Sequence, residues 1–235
     1  MTETTFDTGR ADAFADQLTG WLNGGAAALM ASIGHRTGLF DVMATLPPSG
    51  SDEIARQAGL AERYVREWLG AMVTSGVVEY DTEAATYHLP AEHAASLTRA
   101  ARPANLAVTL QWLPLLGSVE DEVVACFEHG GGVPYASYDR FHPVMAEESD
   151  QTVVAALRSH IVPLVPGLEA RLTEGIDVLD VGCGSGRALV ELARAFPRSR
   201  FLGVDFSAEA IAQATRGALG LPNLSFEVRD ATALG

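Results

Sequence analysis

Ten residues, "VLDVGCGSGR" at positions 178–187, are where residue types and spacing most plainly suggest chemistry. An apolar run carrying one acid, Asp180, leads into glycine at every second position, Gly182, Gly184 and Gly186, with Cys183 between the first two. Glycine accepts positive φ and leaves no Cβ in the way, so a ligand can come up against the backbone of such a turn. A helix starting just after the turn offers unpaired N–H groups and a partial positive charge. Asp205 stands 23 residues beyond Gly182, at the end of the next apolar run, "RFLGVD". That is where strand–turn–helix–strand sites hold a ribose diol. A strand, a glycine turn, a helix and a second strand ending in an acid make a nucleotide-type site, a stronger signal than glycine spacing alone.

The spacing narrows the ligand. A dinucleotide fingerprint reads G-x-G-x-x-G, but Arg187 or Leu189 falls where its third glycine should be, depending on the register. This disfavours an NAD-dependent oxidoreductase. The observed G-x-G-x-G, preceded by Asp180, resembles motif I of the class I S-adenosylmethionine-dependent methyltransferases. The resemblance implies that the glycine loop passes under the methionine part of the cofactor and that Asp205 holds the ribose hydroxyls. It also implies that Phe206 packs on adenine and that Asp230, in "VRDA" with Ala231 beside it, receives the adenine amino group. The expected S-adenosyl-L-methionine site therefore comprises Asp180, Gly182, Cys183, Gly184, Gly186, Asp205, Phe206, Asp230 and Ala231. A sulfonium cation suits the negative field of Asp180, and with no pyrophosphate to bind, no basic clamp is needed. Plainer roles stand beside these: Asp180 as a buried acid satisfied by loop N–H groups, Asp205 as the boundary of the next helix, Asp230 as a turn acid. Cys183 is read as a small loop residue without a redox role.

No catalytic residue is assigned. Tyr135, Tyr138, Phe141 and His142 lie in a glycine- and aromatic-rich connection just before the cofactor domain. Relatives place residues over the cofactor and acceptor there, and His142 could serve as a base to an acceptor hydroxyl; a packed linker is the plainer reading. His35, His88, His93, His129 and His160 show no metal-ligand spacing, and no metal is expected.

The elements that must position these residues can be traced along the chain. Residues 1–10 read as a loose leader. Residues 11–33 are helical in pattern but carry Gly20, Gly24 and Gly25, which suit either a break between two helices or a close helix contact, with a second subunit among the options. "TGLFDVMATL" stops at Pro47-Pro48-Ser49-Gly50, after which Ser51 or Asp52 can cap "DEIARQAG". "AERYVREWLGAMVTSG" places Tyr64, Val65, Trp68, Leu69, Met72 and Val73 on its apolar positions, and "VVEY" and "TYHL" read as a hairpin. Helices followed by a hairpin make a winged helix. Residues 91–128 look helical, and "DQTVVAALRSHIVPLVPGLEARL" is a helix broken near Pro163 and Pro166. "IDVLDVG", "RFLGVD" and "LSFEVRD" alternate with two helical segments, the pattern of a doubly wound α/β sheet. The expected fold is a mainly α winged-helix domain followed by a Rossmann-like α/β domain with three parallel strands. Domain limits fall at 11–120 for the winged-helix part, 121–170 for a helical connection and 171–235 for the cofactor domain.

Charge bears on partners. Sixteen cations, all arginine, face thirty acids, a formal net charge of −14. Residues 47–93 hold three arginines (56, 63, 66) against eight acids, and the wing tip "YDTEAAT" is acidic. Nucleic-acid binding rests on neutralised phosphates, so this winged helix reads as a protein-contacting one, and a transcription regulator is the disfavoured alternative. The upstream strings "LNGGAAALMASIGHRTGLFDVM" and "SDEIARQAGLAERYVREWLGAMVTSGVVE" resemble the N-terminal domain of small-molecule methyltransferases, specifically a bacterial group best known from mycobacteria. That resemblance implies a homodimer and a small-molecule methyl acceptor, of unreadable identity. Two well-separated cysteines and the lack of a long apolar run fit a cytoplasmic protein without membrane contact. Because the resembled domain has seven strands and the sequence stops at "DATALG", a C-terminally truncated enzyme, or a cofactor-binding remnant without catalysis, is also an expectation.

Overall fold

The computed structural model describes residues 6–233. Residues 1–5 of the expected leader, and the last two of the cofactor domain, lie outside the described residues. The chain opens on one helix, α1 (Thr8–Thr37), capped by the Asp7 carboxylate, which accepts from the Arg10 amide at 3.1 Å. There is no break at Gly20, Gly24 or Gly25, and the first turn already takes in Thr8 to Arg10 of the expected leader. Each glycine costs a helix about 1 kcal/mol, but no proline intervenes and propagation adds one hydrogen bond per residue. From Thr8 to Gly24 every residue is exposed. The buried residues of α1, Ala31, Ser32, Gly34 and His35, are confined to its C-terminal end. Gly34 is required there, because a Cβ would stand 2.9 Å from the Phe40 ring and closer still to Trp68.

Four short elements complete the winged helix: α2 (Leu39–Met43), α3 (Ser51–Ala58), α4 (Glu62–Thr74) and the antiparallel hairpin β1 (Glu79–Asp81) with β2 (Thr86–His88). A bridge between Ser49 and Tyr87 ties the hairpin to the turn before α3. Neither Ser51 nor Asp52 caps α3: the helix begins at Ser51 with Gly50 at the N-cap, and the Ser51 hydroxyl instead donates to Glu62 at 2.7 Å. Val65, Trp68, Leu69 and Met72 of α4 are buried as expected, against Phe40, Ile54 and Leu39. Tyr64 is not; it is 75% exposed, one helical step outside the apolar stripe. The Trp68 indole donates to the Met30 carbonyl at 2.8 Å, which fixes α1 on α4.

The region expected as continuous helix from residue 91 divides into α5 (Ala91–Leu97), α6 (Trp112–Gly117) and α7 (Glu120–His129), with two 3-10 turns, Arg99–Ala101 and Thr109–Gln111, between the first two. Next comes α8 (Phe141–Ser149), which runs on into π-wound turns at Asp150–Val154 and Leu157–Ile161. Then α9 (Leu168–Glu174) leads to β3 (Asp177–Val181), α10 (Arg187–Ala195), β4 (Arg200–Asp205), α11 (Ala208–Gly217) and β5 (Leu224–Val228). The sheet is parallel, in the order β3-β4-β5, with Asp180 opposite Gly203 and Gly203 opposite Phe226. Its Val178, Phe201, Leu224 and Phe226 face packs on Leu189, Ala193 and Phe196 of the α10 region. Leu179 and Val181, on the alternate face of β3, are 53% and 50% exposed.

Candidate cofactor site at the carboxyl ends of the strands

Parallel strands joined by helices put their carboxyl ends together, and that is where open α/β sheets bind ligands. Here β3 ends in the glycine loop, β4 in Asp205 and β5 in Asp230. Gly182, Gly184 and Gly186 all take positive φ (77°, 53° and 69°). Their reasons differ. At Gly182 and Gly184 a Cβ would enter open space, so these two keep the backbone bare for a ligand. At Gly186 a Cβ would overlap the Phe226 ring and sit 2.9 Å from Ala214, so this glycine lets α10 close on the sheet. The loop is pinned to β4: the Gly182 and Cys183 amides both donate to the Val204 carbonyl, at 2.8 and 3.1 Å.

Asp205 organises the loop from the neighbouring strand. Its Oδ2 accepts from the Gly184 amide at 2.9 Å and its Oδ1 from the Ser207 amide at 2.8 Å. A carboxylate has about four lone-pair sites, so two remain to accept from a ligand diol. Asp205 is not the cap of α11; that part falls to Ser207, which accepts from the Ala210 amide at 3.2 Å. Asp180 is half-buried, and among the described residues no protein group donates to its carboxylate; the Gly182, Cys183, Gly184 and Gly186 amides are bonded elsewhere. Burial, and then the nearby Asp205 charge, raise its pKa above the ordinary carboxylate value. Cys183 is pushed up to about 12 by burial, with Asp180 and Asp205 adding to it, so it is a thiol and not a thiolate. Asp230 is exposed and forms a turn, accepting from the Thr232 amide at 2.8 Å and the Thr232 hydroxyl at 2.7 Å; these bonds lower its pKa.

Two hollows meet at Gly182. One, of about 290 Å³, is bounded by Val181, Asp205, Phe206, Asp230 and Ala231. The other, of about 260 Å³, is bounded by Asp180, Cys183, Gly184 and Arg187 on the loop side and by His142, Met145 and Ser149 of α8 opposite. All nine expected site residues except Gly186 line one of the two. Of the connection residues, His142 reaches the second hollow and Tyr135 lies 6.0 Å from the Phe206 ring, centroid to centroid. Tyr138 packs on Phe141 (6.1 Å), as a linker residue would. Sequence reasoning missed Met145, Ser149 and Arg187. The first two could have been found from His142, since positions 142, 145 and 149 share a helix face; Arg187 stands at the N-terminus of α10, in the motif itself.

Comparison with known proteins agrees with this geometry. Residues 25–99 match the family described as the Rv2258c-like winged HTH domain, and residues 172–235 match the family described as Methyltransferase domain. Over 53 residues, 23% of the chain, it is 49% identical to trans-aconitate 2-methyltransferase of Deinococcus radiodurans, covering 20% of that protein. Over 76 residues, 32% of the chain, it is 40% identical to an uncharacterized 37.1 kDa protein in transposon TN4556 of Streptomyces fradiae, covering 21% of it. The matched stretches thus span about a fifth of each curated relative's length. Among solved structures, human N-acetylserotonin methyltransferase in complex with S-adenosylmethionine superposes with a TM-score of 0.64 at 15% identity, over 98% of this chain and 68% of that one. The mitomycin 7-O-methyltransferase gives 0.63 at 16% identity, over 95% and 68%. These likenesses are of fold. No described helix is long and apolar enough to cross a membrane.

Proposed function

The chain is a winged helix-turn-helix domain joined to a methyltransferase domain, and we propose that it binds S-adenosylmethionine and serves methyl transfer to a small-molecule acceptor. The observation that carries this is the pair Asp180 and Asp205, two carboxylates at one bare glycine loop with no cation in ion-pair contact among the described residues. Such a site suits a cationic nucleoside. Asp205 would hold the ribose hydroxyls on its two free lone-pair sites, Phe206 and Ala231 would flank the adenine, and Asp230 would receive its amino group. Gly182 and Gly184 would leave room for the methionyl chain, with Asp180 facing its positive charge. Arg187 and the uncapped N-terminus of α10 would face its carboxylate. The cofactor supplies a methyl group made electrophilic by the sulfonium. The residues then have to orient donor and acceptor in line and keep water out, and His142, which lines the second hollow, would be the group to take a proton from an acceptor hydroxyl.

The division at 11–120, 121–170 and 171–235 is kept, with the first part as a dimerisation domain in a cytoplasmic homodimer. Exposed Phe14, Leu18, Trp21 and Leu22 along α1 support a protein partner. Arg56 and Arg66 pair with Glu53 and Glu62 on their own helices, which supports the reading of this winged helix as one that does not engage nucleic acid. Titration calorimetry with S-adenosylhomocysteine, with NAD as the competing candidate, tests the cofactor. Absence of binding, or preference for NAD, overturns the reading. Binding without turnover of labelled cofactor on a panel of phenols, acids and amines favours the non-catalytic alternative. Sedimentation should show a dimer that Trp21→Asp converts to monomer.

A further inference from the structure

The helix that walls the cofactor hollow has a second face. Residues two apart on an α-helix point about 200° apart, and α8 uses this throughout. His142, Met145, Ala146 and Ser149 line the hollow with the glycine loop. Val144, Glu147 and Glu148 point the other way, into the N-terminal half of the chain. Glu147 is the anchor of that face. Its Oε1 accepts from Nε2 of the fully buried His35 at 3.0 Å and from Arg99 at 3.1 and 3.2 Å; its Oε2 accepts from Gln111 Nε2 at 3.0 Å. Arg99 is itself held by Asp41 at 2.7 Å, and the Gln111 carbonyl accepts from Arg140 at 2.8 Å. One carboxylate thus gathers α1, α2, the turn after α5 and the segment before α6 onto α8. The helix keeps this alignment past Ser149, where the π-wound turn lets Gln151 accept from Asn105 at 3.2 Å while Val153 stays on the hollow.

The geometry points to Glu147 as a positioning residue: by clamping α8 to the winged-helix domain it sets how closely His142 and Met145 stand over the glycine loop. The winged-helix domain is then a working part of the cofactor site although it contributes no residue to it. The affinity half of this rests on the cofactor reading above; the mechanical half does not. Cys183, half-buried in the loop, lines the same hollow as His142 and Met145, so a wall that lifts should leave its thiol more open to a reagent.

The test uses the full chain carrying Cys126→Ser, so that Cys183 is the one thiol. Glu147→Gln should raise the rate of labelling of Cys183 by an aromatic disulfide about 10- to 100-fold, the factor for one lost charge-assisted hydrogen bond. It should weaken S-adenosylhomocysteine by a similar factor. Arg99→Gln, a milder change at a partly exposed side chain, should act in the same direction. Leu69→Ala, in the winged-helix core and remote from α8, serves as the stability control: it should lower the melting midpoint yet leave labelling near the parent rate. Parent-like labelling in both clamp variants overturns the proposal, and so does equally fast labelling in Leu69→Ala. If the parent fails to bind S-adenosylhomocysteine while Glu147→Gln still labels faster, the cofactor reading fails and the positioning role stands.

Discussion

Replacing Glu147 by glutamine keeps the side chain's shape and removes its charge. Chiefly through the hydrogen bond from His35, then those from Gln111 and the charges of His35 and Arg99, the fold holds this carboxyl at about 2 against an ordinary 4.5. At about 1.4 kcal/mol per unit this favours the ionised form by roughly 3 kcal/mol. Solvent reaches 31% of the side chain, and screening brings the figure to about 2 kcal/mol. For a chain of this length each kcal/mol moves the melting midpoint by about 2–4 °C. Glu147→Gln should therefore melt about 4–8 °C lower than wild type at pH 7. A carboxyl depressed by folding stabilises fully above its unfolded value, and the contribution is lost as pH falls through the folded one. The gap should thus be whole above about pH 4.5 and close progressively toward about pH 2. Besides His35 and Arg99, the charged groups around the cluster are Asp41 and Arg140. Paired melts by circular dichroism at pH 7 and near pH 3 measure the gap. A gap that does not depend on pH, or none at neutral pH, would refute the claim that charge at position 147 carries the link.

Three further outcomes are expected. Asp205→Ala should weaken S-adenosylhomocysteine about 10- to 100-fold by calorimetry, since it would remove the proposed charged acceptor for the diol and unlatch the Gly184 amide. Asp180→Asn should raise the melting midpoint of the unliganded chain at neutral pH while weakening the ligand. Folding raises the pKa of Asp180, so its charge costs stability once pH rises through the elevated value, and the amide escapes that cost; a lower midpoint with unchanged binding contradicts this. Gly186→Ala should destabilise by more than about 1 kcal/mol in urea unfolding, through its positive φ and the Phe226 ring behind it, and wild-type stability would show that α10 does not pack as described.

What the sequence makes legible is what is local. The glycine turn, its strand and the acids at 205 and 230 can be read because one βαβ unit contains them, and period-two and helical patterns are short-range signals. Val65, Trp68, Leu69 and Met72 emerge from the same periodicity. The length of α1 does not: Gly20, Gly24 and Gly25 leave a break open beside a close helix contact because propensity is weighed residue by residue, whereas a helix forms cooperatively. The clamp is invisible for another reason. Glu147 meets His35 across 112 positions and Arg99 across 48, and no spacing rule connects them. The separate role of Gly186 is hidden in the same way, since nothing in the motif's spacing places the ring of Phe226 behind it.

The exposed run of α1 from Thr8 to Gly24 has a thermodynamic consequence. Seventeen residues with no buried side chain form a rod of about 25 Å, near the length at which a helix in water is marginal, and Gly9, Gly20 and Gly24 weaken it further. Such a segment opens at little cost. Whatever surface covers Phe14, Leu18, Trp21 and Leu22 adds to helix formation the free energy of their burial, so coiling of the arm and docking of its partner become one equilibrium. With a second copy of the chain as that partner, as proposed above, dilution should act on this arm as urea would, melting it while the rest of the chain stays folded. Its amide protons should exchange in a gradient that steepens from Ala31 outward and flattens as protein concentration rises.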